Sequence, residues 1–565
     1  MQNESHVTTL TPRISARWDI FAYAALGVMV FFSFFYGLGA YGLLNDNEGL
    51  YAEAAREMQQ SHAYIIPTLN YVPYIEKPPL LYWLLSLSYS LFGVSEFSAR
   101  LVPASAATLL CLELVRFGRR IGRTQTGILA AFVLVSSLGF ALLARTVMFD
   151  MLLTAFIAFS LFAFYRWYED DRPRDLRLAY LFLGLGVMTK GLVALALVVL
   201  AVTAFLPFAG FERRRIRALA DIPGMLLFLL ATLPWHLAAL LSDPGFGWFY
   251  FINEHVLRFL GRRLPHDFYT GPVYYYVPLV LAGLLPWSGW LVFGFRRLAA
   301  REPFEKFLLA WFTVFFLFFS VSRDKGSYYL ITAMPAAALF VAMQIERCVR
   351  EGRSRLNDVI AVTGLATSVI LAAWVLLPYR ELLQSSTALR VAGVMLVVVT
   401  LGIALSLATR ESSSTQPLPL VIALSALVAP FALVVVSGMV AAQGELSEAG
   451  FARAIAARTT GHPVVLFRDF EQVSSLLFYL HRPLPIIDSA SKDLYYGQHT
   501  RAGRKQFFTS ADLVRWSAAE KLYVVVRDAR RREFEKGLRG RIFCRVAAGD
   551  QVALYSNDRK ECRVR

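Results

Sequence analysis

Apolar runs of roughly 20 residues recur along this chain from Trp18 to Ala442, and each is long enough to cross about 30 Å of hydrocarbon. They segment into about thirteen spans: 18–42, 98–117, 125–144, 148–167, 178–189, 191–209, 222–241, 273–295, 306–321, 328–346, 358–378, 389–408 and 418–442. The 178–189 run is short and reads as one arm of a tight hairpin with 191–209. The first run follows a polar start with Arg13 and Arg17 and lacks a small-residue cleavage site. It therefore reads as a retained helix and not as a removable leader.

Composition agrees with this pattern. The 565 residues are 56% hydrophobic and 17% charged, whereas ordinary soluble domains are about 45–50% apolar and about 25% charged. The net charge of +16 comes from short basic clusters between the apolar runs, as membrane orientation requires, so nucleic acid is not an expected partner. The clusters at Arg116/Arg119/Arg120/Arg123, Arg172/Arg174/Arg177, Arg213/Arg214/Arg215/Arg217, Arg296/Arg297/Arg301 and Arg347/Arg350/Arg353/Arg355 fall on alternate connections, the side of Arg13 and Arg17. That side is expected to be cytoplasmic, and an odd number of spans then puts the C-terminus outside.

Three outer segments are long. Residues 43–97 form a first loop with amphipathic stretches, such as Tyr82-Trp83-Leu84-Leu85, expected to lie in the interface. Residues 243–272 form a second loop rich in aromatic and charged side chains. Residues 1–442 thus read as a transmembrane domain and 443–565 as a polar tail long enough to fold alone. In the tail, Pro463-Val-Val-Leu-Phe and Lys521-Leu-Tyr-Val-Val-Val read as buried strands, Thr509-Ser-Ala-Asp as a capped helix start, and Arg541-Ile-Phe-Cys with Gln551-Val-Ala-Leu-Tyr as a terminal strand pair. The tail carries 22 Lys/Arg against 14 Asp/Glu, a difference of +8, and suits an anionic neighbour. Cys544 and Cys562 are both in it; a disulfide and two free thiols are both open from sequence.

Ionisable groups at span ends are costly, and basic ones on the outer side also oppose the orientation bias. Asp46 and Glu48, Glu76 and Lys77, Arg145 and Asp150, Lys190, Glu254, His255 and Arg258, then Arg323, Asp324 and Lys325 all reach that side. Singly, each has an ordinary reading. Asp46 and Glu48 suit the start of a helix through Tyr51-Ala-Glu-Ala-Ala-Arg-Glu-Met, Glu76-Lys77 a solvated turn, Asp150 a cap, Arg145 a snorkelling side chain and His255 an interfacial histidine. Together, six separated segments delivering charge to one rim point to a shared cavity.

Lys77, Lys190, Arg258 and Lys325 supply positive charge beside apolar walls, which suits a phosphate on a lipid tail. Asp46, Glu48 and Asp150 are the candidate catalytic acids, serving as general base or stabilising an oxocarbenium-like transition state. Glu76 with His255 forms a candidate oxygen/nitrogen pair for a divalent metal, which the chemistry does not require because fixed cations already neutralise a departing phosphate. The sequence has neither a Gly-rich phosphate loop followed by Lys-Ser/Thr nor a paired zinc motif.

These residues carry a family likeness. Asn47-Glu-Gly-Leu-Tyr-Ala-Glu-Ala-Ala-Arg-Glu-Met, Tyr74-Ile-Glu-Lys-Pro-Pro-Leu-Leu-Tyr-Trp, Val147-Met-Phe-Asp-Met, Gly186-Val-Met-Thr-Lys-Gly, Asn253-Glu-His-Val-Leu-Arg-Phe, Tyr274-Tyr-Tyr-Val-Pro with Leu285-Pro-Trp, Phe319-Ser-Val-Ser-Arg-Asp-Lys-Gly-Ser-Tyr-Tyr and Phe507-Phe-Thr-Ser-Ala-Asp-Leu-Val-Arg-Trp occur in order. The sequence resembles the bacterial 4-amino-4-deoxy-L-arabinose lipid A transferases, within the protein O-mannosyltransferase-like group of GT-C membrane glycosyltransferases. The resemblance implies a membrane all-α GT-C fold of thirteen helices plus a periplasmic α/β domain, in the bacterial inner membrane. It also implies transfer of aminoarabinose from undecaprenyl phosphate to a lipid A phosphate on the periplasmic side. On this chain Lys77 and Arg258 would bind the carrier phosphate, Glu76 and His255 would form the metal pair, and Asp150 would be a carboxylate of the catalytic cavity. One departure stands out: the family's first-loop motif begins Asp-Glu, whereas this chain reads Asp46-Asn47-Glu48. Asp46 substitutes if the motif shifts by one residue.

Two other readings stay open from sequence. One keeps the transferase and changes the acceptor, to a Ser/Thr hydroxyl on a protein or another envelope glycolipid, and needs a carboxylate base. The other is a lipid flippase or transporter, which calls for broken helices with charges near the bilayer midplane.

Overall fold

The computed structural model describes residues 16–210, 213–266, 270–295, 302–351, 418–538 and 540–562. Every expected span inside them is helical. The spans expected at 358–378 and 389–408 lie outside the described residues.

The helices follow the apolar pattern closely. α1 (Ala16–Val30) widens into a π turn at Phe31–Phe35, and α2 (Asn47–Ser61) and α3 (Leu80–Phe92) belong to the first loop. α4 (Glu96–Arg120) begins at a Ser95/Ser98 capping box, which satisfies its first amide groups, and ends on Arg119 and Arg120, which complement the helix dipole. α5 (Thr124–Val135), α6 (Leu138–Leu143), α7 (Phe149–Asp170), α8 (Pro173–Lys190) and α9 (Leu192–Phe205) complete the first half. After α10 (Arg213–Ala218) and α11 (Ile222–Ser242), the second loop contains a wide π-type helix at Gly247–Leu257. α12 (Tyr276–Gly283), α13 (Ser288–Phe295), α14 (Pro303–Val321), α15 (Met334–Arg350), α16 (Leu418–Ser425) and α17 (Val428–Ala441) follow.

Among the described residues, five helices are long and apolar enough to cross a membrane: Glu96–Arg120, Phe149–Asp170, Arg215–Ser242, Pro303–Val321 and Tyr329–Arg350. Leu230 and Leu241 on α11 are 71% and 88% exposed, a cost in water that disappears against lipid. The chain is a multi-pass membrane protein.

Among the described residues, three expected spans are broken: 418–442 at Ala426-Leu427, between α16 and α17, and two others that meet. Residues 125–144 divide into α5 and α6 at Ser136-Ser137, and 273–295 into α12 and α13 at Leu284–Trp287. The breaks satisfy each other: Leu138 N–H donates to the Leu285 carbonyl at 3.2 Å and the Trp287 indole donates to Ser136 Oγ at 3.0 Å. A Cβ on Gly139 would stand 2.9 Å from Gly283 Cα, so glycine permits the crossing. Neither break carries an ionisable side chain. The hairpin expected at 178–209 is real, and it turns at Gly191, whose φ of +80° favours glycine.

The first loop departs most from expectation. α2 packs against α3 and the tail, and eleven of its fifteen residues, Glu48, Glu53, Arg56 and Glu57 among them, are buried. It is a core element, not a membrane-surface helix.

The tail is α/β, as expected. Its sheet runs β5-β4-β3-β6-β8-β7, where β3 is Val464–Phe467, β4 Ile486–Ile487, β5 Phe507–Phe508, β6 Tyr523–Arg527, β7 Cys544–Ala548 and β8 Val552–Ser556; β1 (Thr68–Leu69) and β2 (Val72–Pro73) form a separate ribbon in the first loop. β3 to β6 are mutually parallel and the β6–β8–β7 edge is antiparallel. Thr509 caps its helix through a box with Asp512, as read from sequence. The Arg541-Ile-Phe-Cys strand instead starts at Cys544. Cys544 is disulfide-bonded, while Cys111 and Cys348 are buried free thiols.

Candidate active site

One cavity of about 1190 Å³ gathers ten of the thirteen outer-rim groups; Glu48, Arg145 and Arg323 are not in its lining. Asp46, Glu76, Lys77, Asp150, Lys190, Glu254, His255, Arg258, Asp324 and Lys325 all line it, beside apolar walls that include Leu192, Val193, Ala196, Phe259 and Phe319. The convergence read from sequence is therefore present in space.

Helix ends deliver two of the charges. Asp150 occupies the first turn of α7 and Lys190 the last turn of α8, so each sits where the helix dipole favours it. Their side chains meet at 2.7 Å, and the Lys190 ammonium lies 4.8 Å from the centre of the Tyr329 ring.

The second loop supplies the other cluster. Lys77 Nζ stands 3.3 Å from Glu254 and 3.5 Å from Glu76. Arg258 reaches Glu254 at 3.0 Å and Asp324 at 2.7 Å, and Tyr329 donates to the same Asp324 carboxylate at 3.0 Å. Beneath them Arg263, fully buried, donates to both Glu76 and Glu254. Burial pushes the Glu76 carboxyl up, against the pull of Arg263, and the Glu254 charge adds to the rise. Burial also works to raise Glu254, but Lys77, Arg263 and Arg258 overcome it and hold that carboxyl at about 2.

Three expected site residues do other work. Glu48 is absent from the cavity lining: its carboxylate turns inward to Arg100 at 2.7 and 2.9 Å and accepts from the Leu44 and Val147 amides, fastening the first loop to α4 and α7. Lys325 lines the cavity, yet its ammonium donates to the Phe319 and Ser320 carbonyls, closing the end of α14 where backbone acceptors have no intrahelical partner. His255 accepts from the Leu192 amide through Nε2 at 3.0 Å and donates from Nδ1 to the Tyr250 carbonyl, so it caps α9 and neither ring nitrogen is left for an ion. Burial lowers its pKa and keeps the ring neutral. With Glu76 held by Arg263 and Lys77, the Glu76/His255 pair does not fit a divalent metal. Among the described residues no group of three or more His, Cys, Asp or Glu is placed to hold one.

Asp46 and Asn47 both line the cavity, and Asn47 Oδ1 accepts from Tyr51 at 2.8 Å. Asp46 precedes α2 without bonding the helix's first amides through its side chain, so it is not the cap that its position suggested.

Sequence reasoning missed Arg263, although Arg262-Arg263 on an outer loop breaks the orientation bias and was a usable signal. It also missed the tail's contribution to the wall, Asp469, Glu471, Lys492, Asp493 and Arg530. Nothing local in the sequence marks those five.

Comparison with known proteins puts the cavity in context. Residues 76–237 match the family model described as dolichyl-phosphate-mannose-protein mannosyltransferase. An undecaprenyl phosphate-alpha-4-amino-4-deoxy-L-arabinose arabinosyl transferase of Shewanella sediminis is 34% identical over 341 residues, 57% of this chain and 59% of that one. One of Serratia proteamaculans is 32% identical over 373 residues, 62% of this chain and 65% of that one. The chain resembles the aminoarabinose transferases. It spans about three fifths of the length of these curated relatives. The crystal structure of ArnT from Cupriavidus metallidurans bound to undecaprenyl phosphate superposes with a TM-score of 0.81 at 23% identity, covering 97% of this chain and 99% of that one. Its apo form gives 0.79 at 22%, covering 96% and 98%. The fold is thus the GT-C fold of ArnT, as the motifs implied.

Proposed function

We propose that the chain is an inner-membrane glycosyltransferase that moves 4-amino-4-deoxy-L-arabinose from undecaprenyl phosphate to a lipid A phosphate. The observation that carries this reading is one apolar-walled cavity holding Lys77, Arg258 and Lys190 together with Asp46 and Asp150. The relatives named above act on an undecaprenyl phosphate-linked aminoarabinose, which supports the donor.

In the proposed reaction an acceptor phosphate oxygen forms a bond to the sugar's anomeric carbon as the bond from that carbon to the carrier phosphate breaks. The electron pair leaves with the carrier phosphate, and Lys77 and Arg258 neutralise the charge that develops there. An ionised acceptor phosphate brings no proton to remove. Asp46 and Asp150 then act electrostatically on the cationic character of the sugar ring. Lys190 holds Asp150 in place at 2.7 Å.

The topology proposed with it has about thirteen spans, a transmembrane domain over 1–442, and a cavity and 443–565 domain facing the periplasm. Arginine clusters on alternate connections support that orientation, as does the disulfide at Cys544, a bond of oxidising compartments. Labelling of single cysteines placed in the tail by a membrane-impermeant reagent on intact spheroplasts checks it.

Mass spectrometry of lipid A from cells with and without the protein tests the function. A gain of one aminopentose is the expected result. Unchanged lipid A alongside glycosylated secreted proteins would favour the hydroxyl-acceptor enzyme. The flippase reading loses support because none of the three helix breaks among the described residues carries charge.

A further inference from the structure

We infer that the C-terminal α/β domain is a positioning part of the transferase site, acting through Ser474 and Glu471 on the backbone of Asp46. The inference rests on the proposed role of the Asp46 carboxylate in that site.

Asp46 has φ +63° and ψ −134°, a strained conformation essentially confined to glycine elsewhere. Such strain persists only where the surroundings over-determine it. Here the surroundings are the tail. The Asp46 amide donates to the Glu471 carbonyl at 3.0 Å, and its own carbonyl accepts from the Ser474 hydroxyl at 3.0 Å as well as from the Leu50 amide at 3.1 Å. Both peptide groups flanking the strained residue are therefore pinned.

Its neighbours are held in the same way. Asn45 Oδ1 accepts from the Ser475 amide at 3.2 Å and hydroxyl at 2.7 Å, and the Asn45 amide donates to the Leu446 carbonyl at 2.9 Å. Leu43 N–H donates to the Tyr479 hydroxyl at 2.8 Å. Gly49, in the first turn of α2, lets the two parts close up: a Cβ there would stand 2.7 Å from the Ser475 nitrogen.

Glu471 connects this clamp to the cavity wall. While its carbonyl holds Asp46, its carboxylate accepts from the Ser491 hydroxyl at 2.6 Å and the Lys492 amide at 2.8 Å. That turn carries Lys492 and Asp493 into the lining. One residue thus sets both the strained aspartate and the facing loop. Further along the first loop, Asn70 exchanges two hydrogen bonds with Leu484 at 2.8 and 2.9 Å, so the tail templates the loop well beyond Asp46.

A double-mutant cycle on the full-length enzyme in proteoliposomes tests the inference. Ser474→Ala, Asp46→Asn and the pair are compared for kcat and donor KM, with undecaprenyl-phosphate aminoarabinose as donor and lipid A as acceptor. Ser474→Ala is expected to lower kcat about tenfold through misplacement of Asp46, leaving KM within about twofold, and to have no further effect once Asp46 is Asn. Additive losses, or full activity of Ser474→Ala, would overturn the inference while leaving the proposed function standing if Asp46→Asn is impaired. Full activity of Asp46→Asn would remove the role of Asp46, and a loss in Ser474→Ala alone would then refute action through it. If Ser474→Ala does not fold, Ser474→Cys, nearly isosteric and a far weaker donor to the Asp46 carbonyl, takes its place in the cycle with the same expected non-additivity.

Discussion

The Lys77 cluster is balanced in charge, which predicts that binding of a carrier phosphate there is linked to proton uptake. Three carboxylates, Glu76, Glu254 and Asp324, face three cations, Lys77, Arg258 and Arg263. An incoming phosphate would leave this group net negative unless one acid takes up a proton. Glu254 is held at about 2 by its cations and keeps its charge, whereas burial has already pushed Glu76 upward. Glu76 is therefore the acid that neutralises. At an effective dielectric of about 20, a phosphate charge about 4 Å from an ionised Glu76 costs about 4 kcal/mol. That cost favours the protonated Glu76 carboxyl in the complex beyond the rise burial already gives it.

The complex then holds more protons than the free protein, so affinity falls as pH rises through the Glu76 titration, by at most about tenfold per unit. Calorimetric titration with a short prenyl phosphodiester, whose single charge is constant between about pH 6 and 9, measures this directly in buffers of differing ionisation enthalpy. Burial lowers the His255 pKa, away from that range. The expected result is net proton uptake on binding, abolished in Glu76→Gln. Uptake unchanged in that variant, or none in the unaltered protein, would refute the charge-balance argument.

Three further outcomes follow from the same contacts. Lys77→Ala is expected to lower kcat/KM by about 30- to 1000-fold, the equivalent of roughly 2–4 kcal/mol for a charged contact in a dry site, with little change in melting temperature because Glu254 keeps Arg258 and Arg263; steady-state kinetics and a thermal melt check both halves. Arg100→Met strands the buried Glu48 carboxylate and should cost about 3–5 kcal/mol of stability, read by thermal unfolding; if the protein instead stays stable and loses turnover, Glu48 belongs to the chemistry after all. Gly139→Ala forces a Cβ to 2.9 Å from Gly283 Cα and should destabilise by about 1–3 kcal/mol, with no change in donor KM among molecules that remain folded.

Hydropathy sees a helix by what surrounds it, which is why the spans were legible and the burial of α2, itself expected as a helix, was not. A helix in lipid must be apolar on its outer face, so spans such as α4, α7 and α14 announce themselves. Most of α2 is buried by protein and it satisfies Glu48 and Glu53 with Arg100 and Arg56, so these polar residues look like a wet face when they are internal ion pairs. The rim charges were legible because orientation bias makes an outer cation anomalous. Their partners were not, since spacing says which helix end a side chain occupies and nothing about the fourth residue across the cavity. Lys190–Asp150 and Lys325 show the limit: both lysines break the same bias, yet one pairs with an acid and the other spends its ammonium on carbonyls.

The first-loop motif illustrates how a single-residue shift is absorbed. Positions 46 and 47 face the cavity while position 48 points into the bundle, so an acid at either of the first two positions reaches the same space. In this chain the outer of the two holds the carboxylate, and Asn47 instead receives the Tyr51 hydroxyl. Moving the acid back one residue places it ahead of α2, on backbone with φ +63°, where the helix contributes one bond, from the Leu50 amide to the Asp46 carbonyl, and no contact to the side chain through a cap. The other bonds that fix it come from more than four hundred residues away in sequence, which makes the tail's grip on Asp46 the physical counterpart of the departure from the Asp-Glu pattern.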